Sequence, residues 1–228
     1  MNLFHEAERV ILQPNQRQPA LNTPLGSLAF SLTVSGQTYL PSHYGALQQG
    51  GSFYHYESDT FDCELVLCRP ALDARLSLAL QECWGAVFRI KSHAPTTIRG
   101  CGFSAFWQEG FSWSESGSDT GEHLEAVVYE NPEYRLHLGT QDGHMLMIRK
   151  HRGDRIPQSL NLESDFEQHG LITSSEQGIE VPMTEIEPHE TCQIHFVAAW
   201  TRNMEEDNST WLAVDQLAAN ILHTEGLL

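Results

Sequence analysis

Residues 190–222 read ETCQIHFVAAWTRNMEEDNSTWLAVDQLAANIL, and the stretch changes character halfway. Its first part, CQIHFVAAW, is dense in β-branched and aromatic residues and is the most apolar strand candidate in the chain. An acidic loop follows. From Asn208 onward the pattern becomes helical: Trp211, Val214, Leu217, Ala218, Ile221 and Leu222 fall at i, i+3, i+6, i+7, i+10 and i+11 and form one apolar face. Asn208, Ser209 or Thr210 can cap the start, and Gly226 lies where a left-handed closing residue costs least. A helix over 208–228 is therefore expected. Its apolar face must cover something, either the body of the protein or a following domain.

Upstream, the chain reads as strands and turns. Residues 1–24 carry Pro14, Pro19 and Pro24 and suit an extended arm. Ser35-Gly36 is a hairpin turn between two β-rich runs, and Phe61 to Cys68 is a strand stopped by Pro70. LDARLSLAL fits a strand or a short helix. GAVFRIKS alternates and predicts a half-buried strand. Strands are expected near Ile98 and Val127, with a Gly and Ser loop around 114–121 between them. YRLHLGT and HMLMIRK flank Gln141-Asp142-Gly143 and predict a hairpin; shorter runs lie around Leu160, Ile172 and Val181. Short strands at this spacing predict an all-β fold, a large antiparallel β-sandwich spanning 25–207.

Charge and cysteine content narrow the function. Thirteen basic against 30 acidic residues give a net charge of −17, which repels nucleic acid and anionic membrane surfaces. The five cysteines show no C-x-x-C spacing, so neither a zinc knuckle nor a disulfide framework is expected. The first residues lack a basic segment followed by an apolar one, and no apolar run is long enough to cross a bilayer. These features suit a reduced, cytoplasmic protein.

Chemical motifs are sparse. The twelve histidines include no H-x-H and no H-E-x-x-H, and His144 and His151 would face opposite sides of an extended strand, so no metal and no cofactor is expected. A G-x-S-x-G elbow and a phosphate loop before a helix are both lacking. Carboxylates such as Glu109, Glu122, Glu125 and Asp142 have no spacing that forces a catalytic pair, and solvated loop charges account for them. Aromatic residues are more informative. Tyr54, Tyr56, Trp107 and Trp113, with Glu109 beside them, are the candidate carbohydrate-binding residues, since flat rings cover sugar C–H faces while polar neighbours bond the hydroxyls. Core packing is the competing use of the same rings.

The segments EIEPHETCQIHFVAAWTRN and TWLAVDQLAANIL together resemble the final strand and exit helix of N-terminal β-sandwich domains in glycoside hydrolases. Those domains are of the galactose-mutarotase-like supersandwich type and precede an (α/α)6 catalytic barrel. The resemblance covers Pro188 to Glu190 as a turn, Ile194 to Trp200 as the strand and Trp211 to Leu222 as the linker helix; His189 stands where such turns more often carry Gly. It implies a non-catalytic accessory sandwich, with the acid and base supplied by the barrel and none assignable here. It also implies dimer contacts and attachment to the catalytic domain through Trp211, Val214, Leu217, Ala218 and Ile221. A freestanding sugar-binding sandwich and a cupin-like metal protein are the alternatives.

Overall fold

A computed structural model describes residues 10–153, 172–203 and 207–227. The run expected around Leu160 lies outside them. Every strand pairing in the structure is antiparallel, and the strands form two stacked sheets. The nine-stranded sheet is built from β1 (Gln13–Pro14), β5 (His43–Ala46), β6 (Ser52–Glu57), β7 (Phe61–Cys68), β8 (Glu82–Ser92), β15 (Thr191–Arg202), β12 (Tyr134–Gln141), β11 (Leu124–Glu130) and β10 (Glu115–Ser118), in that spatial order. The six-stranded sheet runs β13 (Thr173–Ser175), β14 (Gly178–Ile186), β9 (Ile98–Trp107), β3 (Gly26–Val34) and β2 (Ala20–Thr23), with β4 (Gln37–Tyr39) also on β3. The protein is thus the all-β sandwich that the strand pattern predicts. Of the first 24 residues, those described place β1 against β5 of the large sheet and β2 against β3 of the small one.

Strand alternation sends one set of side chains between the layers. Phe88 sits at the centre of this core, its ring 5.2 Å from Phe103 of the opposite sheet and 6.4 Å from Phe196. Leu28, Phe30 and Leu32 of the small sheet meet Leu65, Ile90 and Leu138 of the large one in the same buried cluster. The other face of the large sheet has its own apolar cluster, made by Phe53, Val66, Val87, Val197 and Ala199. Two short helices, α3 (Ser209–Val214) and α4 (Ala218–His223), cover it with Ala213, Val214, Ala218, Ile221 and Leu222. This is why GAVFRIKS is not half-buried as its alternation predicts: β8 lies mid-sheet with layers on both sides, and Gly85 through Ile90 are buried.

Two glycines make room for those helices. A Cβ at Gly85 would lie 2.4 Å from Ile221 Cγ2, and one at Gly139 would lie 3.0 Å from Val214 Cγ2. Without side chains there, the helices settle close to the strand backbone.

The helix expected over 208–228 is broken at Asp215–Leu217. At the break the Gln216 carbonyl accepts a hydrogen bond from buried His195 Nε2 at 2.7 Å, so the backbone serves the sheet rather than a continuous helix. The break also shifts the helical phase, which leaves Leu217 51% exposed while Val214, Ala218 and Ile221 are buried. No side-chain cap comes from Asn208; Asp207 Oδ1 accepts from Ser209 N at 2.8 Å instead.

The expected hairpin at Gln141-Asp142-Gly143 is a strand followed by a helix. Asp142 caps α2 (Gly143–His151), accepting from Met145 N at 2.7 Å. Met, Leu, Arg and Lys favour helix over strand, and Arg149, Lys150 and His151 in the last turn complement the helix dipole. Of the ambiguous LDARLSLAL, Ala74–Ala79 forms helix α1, capped by Asp73. The Gly and Ser loop around 114–121 contributes the edge strand β10. Ser35-Gly36 does turn β3 into β4, with both residues at positive φ.

Candidate ligand-binding site

The five residues nominated as a sugar platform are not brought together. Tyr56 is fully buried between the sheets and Trp107 is 6% exposed. Tyr54 is half-buried, its ring 5.2 Å from Tyr44. Trp107 and Trp113 both pack on Tyr129 of β11, at 5.1 and 5.5 Å. Four strands separate β6 from β11 in the sheet, so Tyr54 and Tyr129 stand about 24 Å apart at the usual inter-strand spacing. Glu109 lies exposed in the turn after β9. Among the described residues the exposed aromatic ring is Phe111, stacked on Trp113 at 4.5 Å and nearly parallel to it. Packing accounts for most of these rings because they project from inward-facing strand positions.

Polar side chains converge elsewhere, on the outer face of the large sheet beside α3 and α4. Strand register lines up His43, His55, Glu64, Arg89 and Gln193 across five successive strands. A second row two residues along contains Glu57, Asp62, Lys91 and Thr191. These positions share a face because side chains two apart on a strand point the same way.

At one end of the row lies a cleft of about 560 Å³, bounded by Arg89, Gln141, Arg149, Arg152 and Gln193 and walled by Met145, Leu217 and Leu222. Arg89 donates through Nε and Nη2 to Gln193 Oε1, at 3.1 and 2.8 Å. Arg149, from α2, donates Nη1 to Gln141 Oε1 at 2.7 Å and Nη2 to the Gln193 carbonyl at 2.9 Å. Arg89 and Arg149 are each 7% exposed, and these hydrogen bonds hold their guanidinium forks in place before any ligand arrives. Next to them, burial pushes the His195 pKa down to about 3, and the Arg149 charge pushes the same way. The neutral ring donates Nε2–H to Gln216, and its Nδ1 is buried without a hydrogen-bond partner.

At the other end of the row, His43, His55 and Glu57 face one another across β5 and β6. His55 Nδ1 is 3.6 Å from Glu57 Oε1, and His43 Nδ1 is 4.0 Å from Glu57 Oε2. Sequence spacing could not reveal this set, because His43 is twelve residues from His55 and joins it only through strand pairing. The i, i+2 spacing of His55 and Glu57 was the one visible signal.

A Thr, His and Asp chain occurs at the base of α3. His137 Nδ1 is 2.8 Å from Thr210 Oγ1, and its Nε2 is 2.9 Å from Asp119 Oδ2. Burial is the main influence on His137 and lowers its pKa, while Asp119 works against that. Thr210 is fully buried, so the chain clamps α3 to the sheet and offers no accessible nucleophile.

The fold and the face together define a two-sheet antiparallel sandwich with a polar cleft beside its covering helices. No family model matches the sequence, and neither does any curated protein. Among solved structures, a putative kojibiose phosphorylase from human microbiome is similar over 94% of this chain, with a TM-score of 0.49 and 7% sequence identity. This chain spans 30% of that protein's length. Among the described residues, no helix is long and apolar enough to cross a membrane.

Proposed function

We propose that the chain is an accessory β-sandwich of a carbohydrate-active enzyme, a module that binds a small sugar-type ligand beside a separate catalytic domain. The observation carrying this reading is the cleft on the outer face, where two fixed guanidinium groups and two glutamine amides border an apolar wall. Its volume lies within the range of about 300–1,000 Å³ usual for small-molecule sites. Guanidinium and amide groups hydrogen-bond hydroxyls, and guanidinium adds preference for a sugar bearing a carboxylate or phosphate. The resemblance of EIEPHETCQIHFVAAWTRN and TWLAVDQLAANIL to the final strand and exit helix of accessory sandwiches supports the same reading.

The partner surface in this reading is revised by the packing. Val214, Ala218 and Ile221 cover the chain's own sheet, so a helical catalytic domain would meet the part-exposed Trp211 and the exposed Leu212 and Leu217. Titration calorimetry with neutral sugars, uronic acids and sugar phosphates tests the binding claim. One-site binding by a member of the panel, weakened at least about tenfold by Arg152→Ala or Gln193→Leu, is the expected result; a tenfold loss is about 1.4 kcal/mol. Silence across the panel overturns it.

A further inference from the structure

We propose that His43, His55 and Glu57 form a binding site for one divalent first-row transition ion. This site lies at the far end of the polar row from the cleft and does not depend on the sugar-binding reading. Strand pairing places His43 opposite His55, with ring centroids 6.3 Å apart and planes within 29° of parallel. Glu57 follows His55 by two residues and so extends on the same side of β6. One ligand atom from each of the three residues lies within 4.8 Å of the others.

The separations resemble those of ligands around a single ion. Bonds of 2.0–2.2 Å in a tetrahedron put neighbouring donor atoms about 3.4 Å apart. The observed 3.6 and 4.0 Å, from His55 and His43 to the two different oxygens of Glu57, exceed this by well under an ångström, and every separation in the set is within 4.8 Å, so side-chain rotation must draw the ligands inward around an ion. Both separations are too long for hydrogen bonds, so the three groups converge without satisfying one another. His43 Nδ1 lies 3.1 Å from Ser42 Oγ, and the Ser42 hydroxyl donates to the His55 carbonyl. Metal binding through His43 Nδ1 would replace its Ser42 contact while leaving that second bond in place.

The surroundings favour a cation. His55 is 8% exposed, so the sheet holds its ring in place beside Glu57 before any ion arrives. Asp62 pairs with Glu57 in register across β6 and β7, so a second carboxylate lies on the same face. Two imidazoles and one carboxylate select zinc, nickel, cobalt or iron over magnesium and calcium, which prefer all-oxygen sites. Glu57 is on the exposed side, where water can complete the coordination sphere.

The test uses tag-free protein stripped with chelator and dialysed against zinc chloride, with cobalt(II) absorption reporting the geometry. One equivalent of zinc is expected, with an affinity lowered at least about tenfold by His43→Ala and also by Glu57→Gln. Circular dichroism establishes that both variants fold. His223→Ala, at an exposed histidine of α4, should leave the affinity unchanged. No stoichiometric binding, or binding that His43→Ala or Glu57→Gln fails to weaken, overturns the three-ligand site.

Discussion

At the residue scale, His195 links the sheet to its helical cover and makes the join sensitive to acid. Its ring is neutral when folded, with a pKa near 3, whereas the same group in an unfolded chain titrates near 6.5. Below pH 6.5 the unfolded state therefore binds the extra proton, so stability rises with pH across the window from 3 to 6.5. Acidification from pH 7 to pH 5 should cost about 2 kcal/mol through this residue alone. Urea unfolding at the two pH values should show a smaller loss in His195→Gln than in the parent, and equal losses would refute the assignment. His137 is shifted in the same direction by burial and adds to the slope. His189 shows a different residue-scale feature. It has φ of +69° in the turn after Pro188, the left-handed conformation that Gly adopts at least cost.

At the element scale, the terminal helices depend on bare backbone beneath them. Ile221 rests over Gly85 closely enough that Gly85→Val would drive branched methyls into it. Overpacking of this kind costs about 1–3 kcal/mol, and a Tm lower by several degrees in calorimetry is expected. A variant melting at the parental temperature would show that α4 docks loosely. The apolar spacing from Trp211 to Leu222 was plain in the sequence, but its division into two helices was not. That division depends on the Gln216 carbonyl turning toward a histidine on β15, a contact twenty-one residues away. HMLMIRK forms helix rather than the expected strand for a local reason: its hydrophobic content suits a strand, but its residue types favour helix and Asp142 supplies the cap.

At the scale of the whole molecule, packing accounts for all five cysteines. Cys63, Cys68, Cys83, Cys101 and Cys192 are free and buried, in one core or the other. Burial raises every thiol pKa, to about 12 for Cys68, Cys83 and Cys192. A thiol reagent at pH 8 should find none of them quickly in the folded protein and all five after denaturation. Rapid labelling of the native state would show that the layers open locally. The strong negative charge remains a property of the surface as a whole, yet the cleft gathers Arg89, Arg149 and Arg152 at one place. Composition cannot predict such local concentration, because those residues come from β8 and from the end of α2.

The sequence by itself determined the all-β class, most strand positions and the apolar face of the C-terminal segment, since these follow from local periodicity and turn chemistry. The tertiary structure alone decided what that face covers, which aromatic rings are buried, and which polar groups meet. The physical reason is register: Arg89 faces Gln193 across 104 residues, and His43 faces His55 across twelve, through backbone pairing that no local spacing encodes.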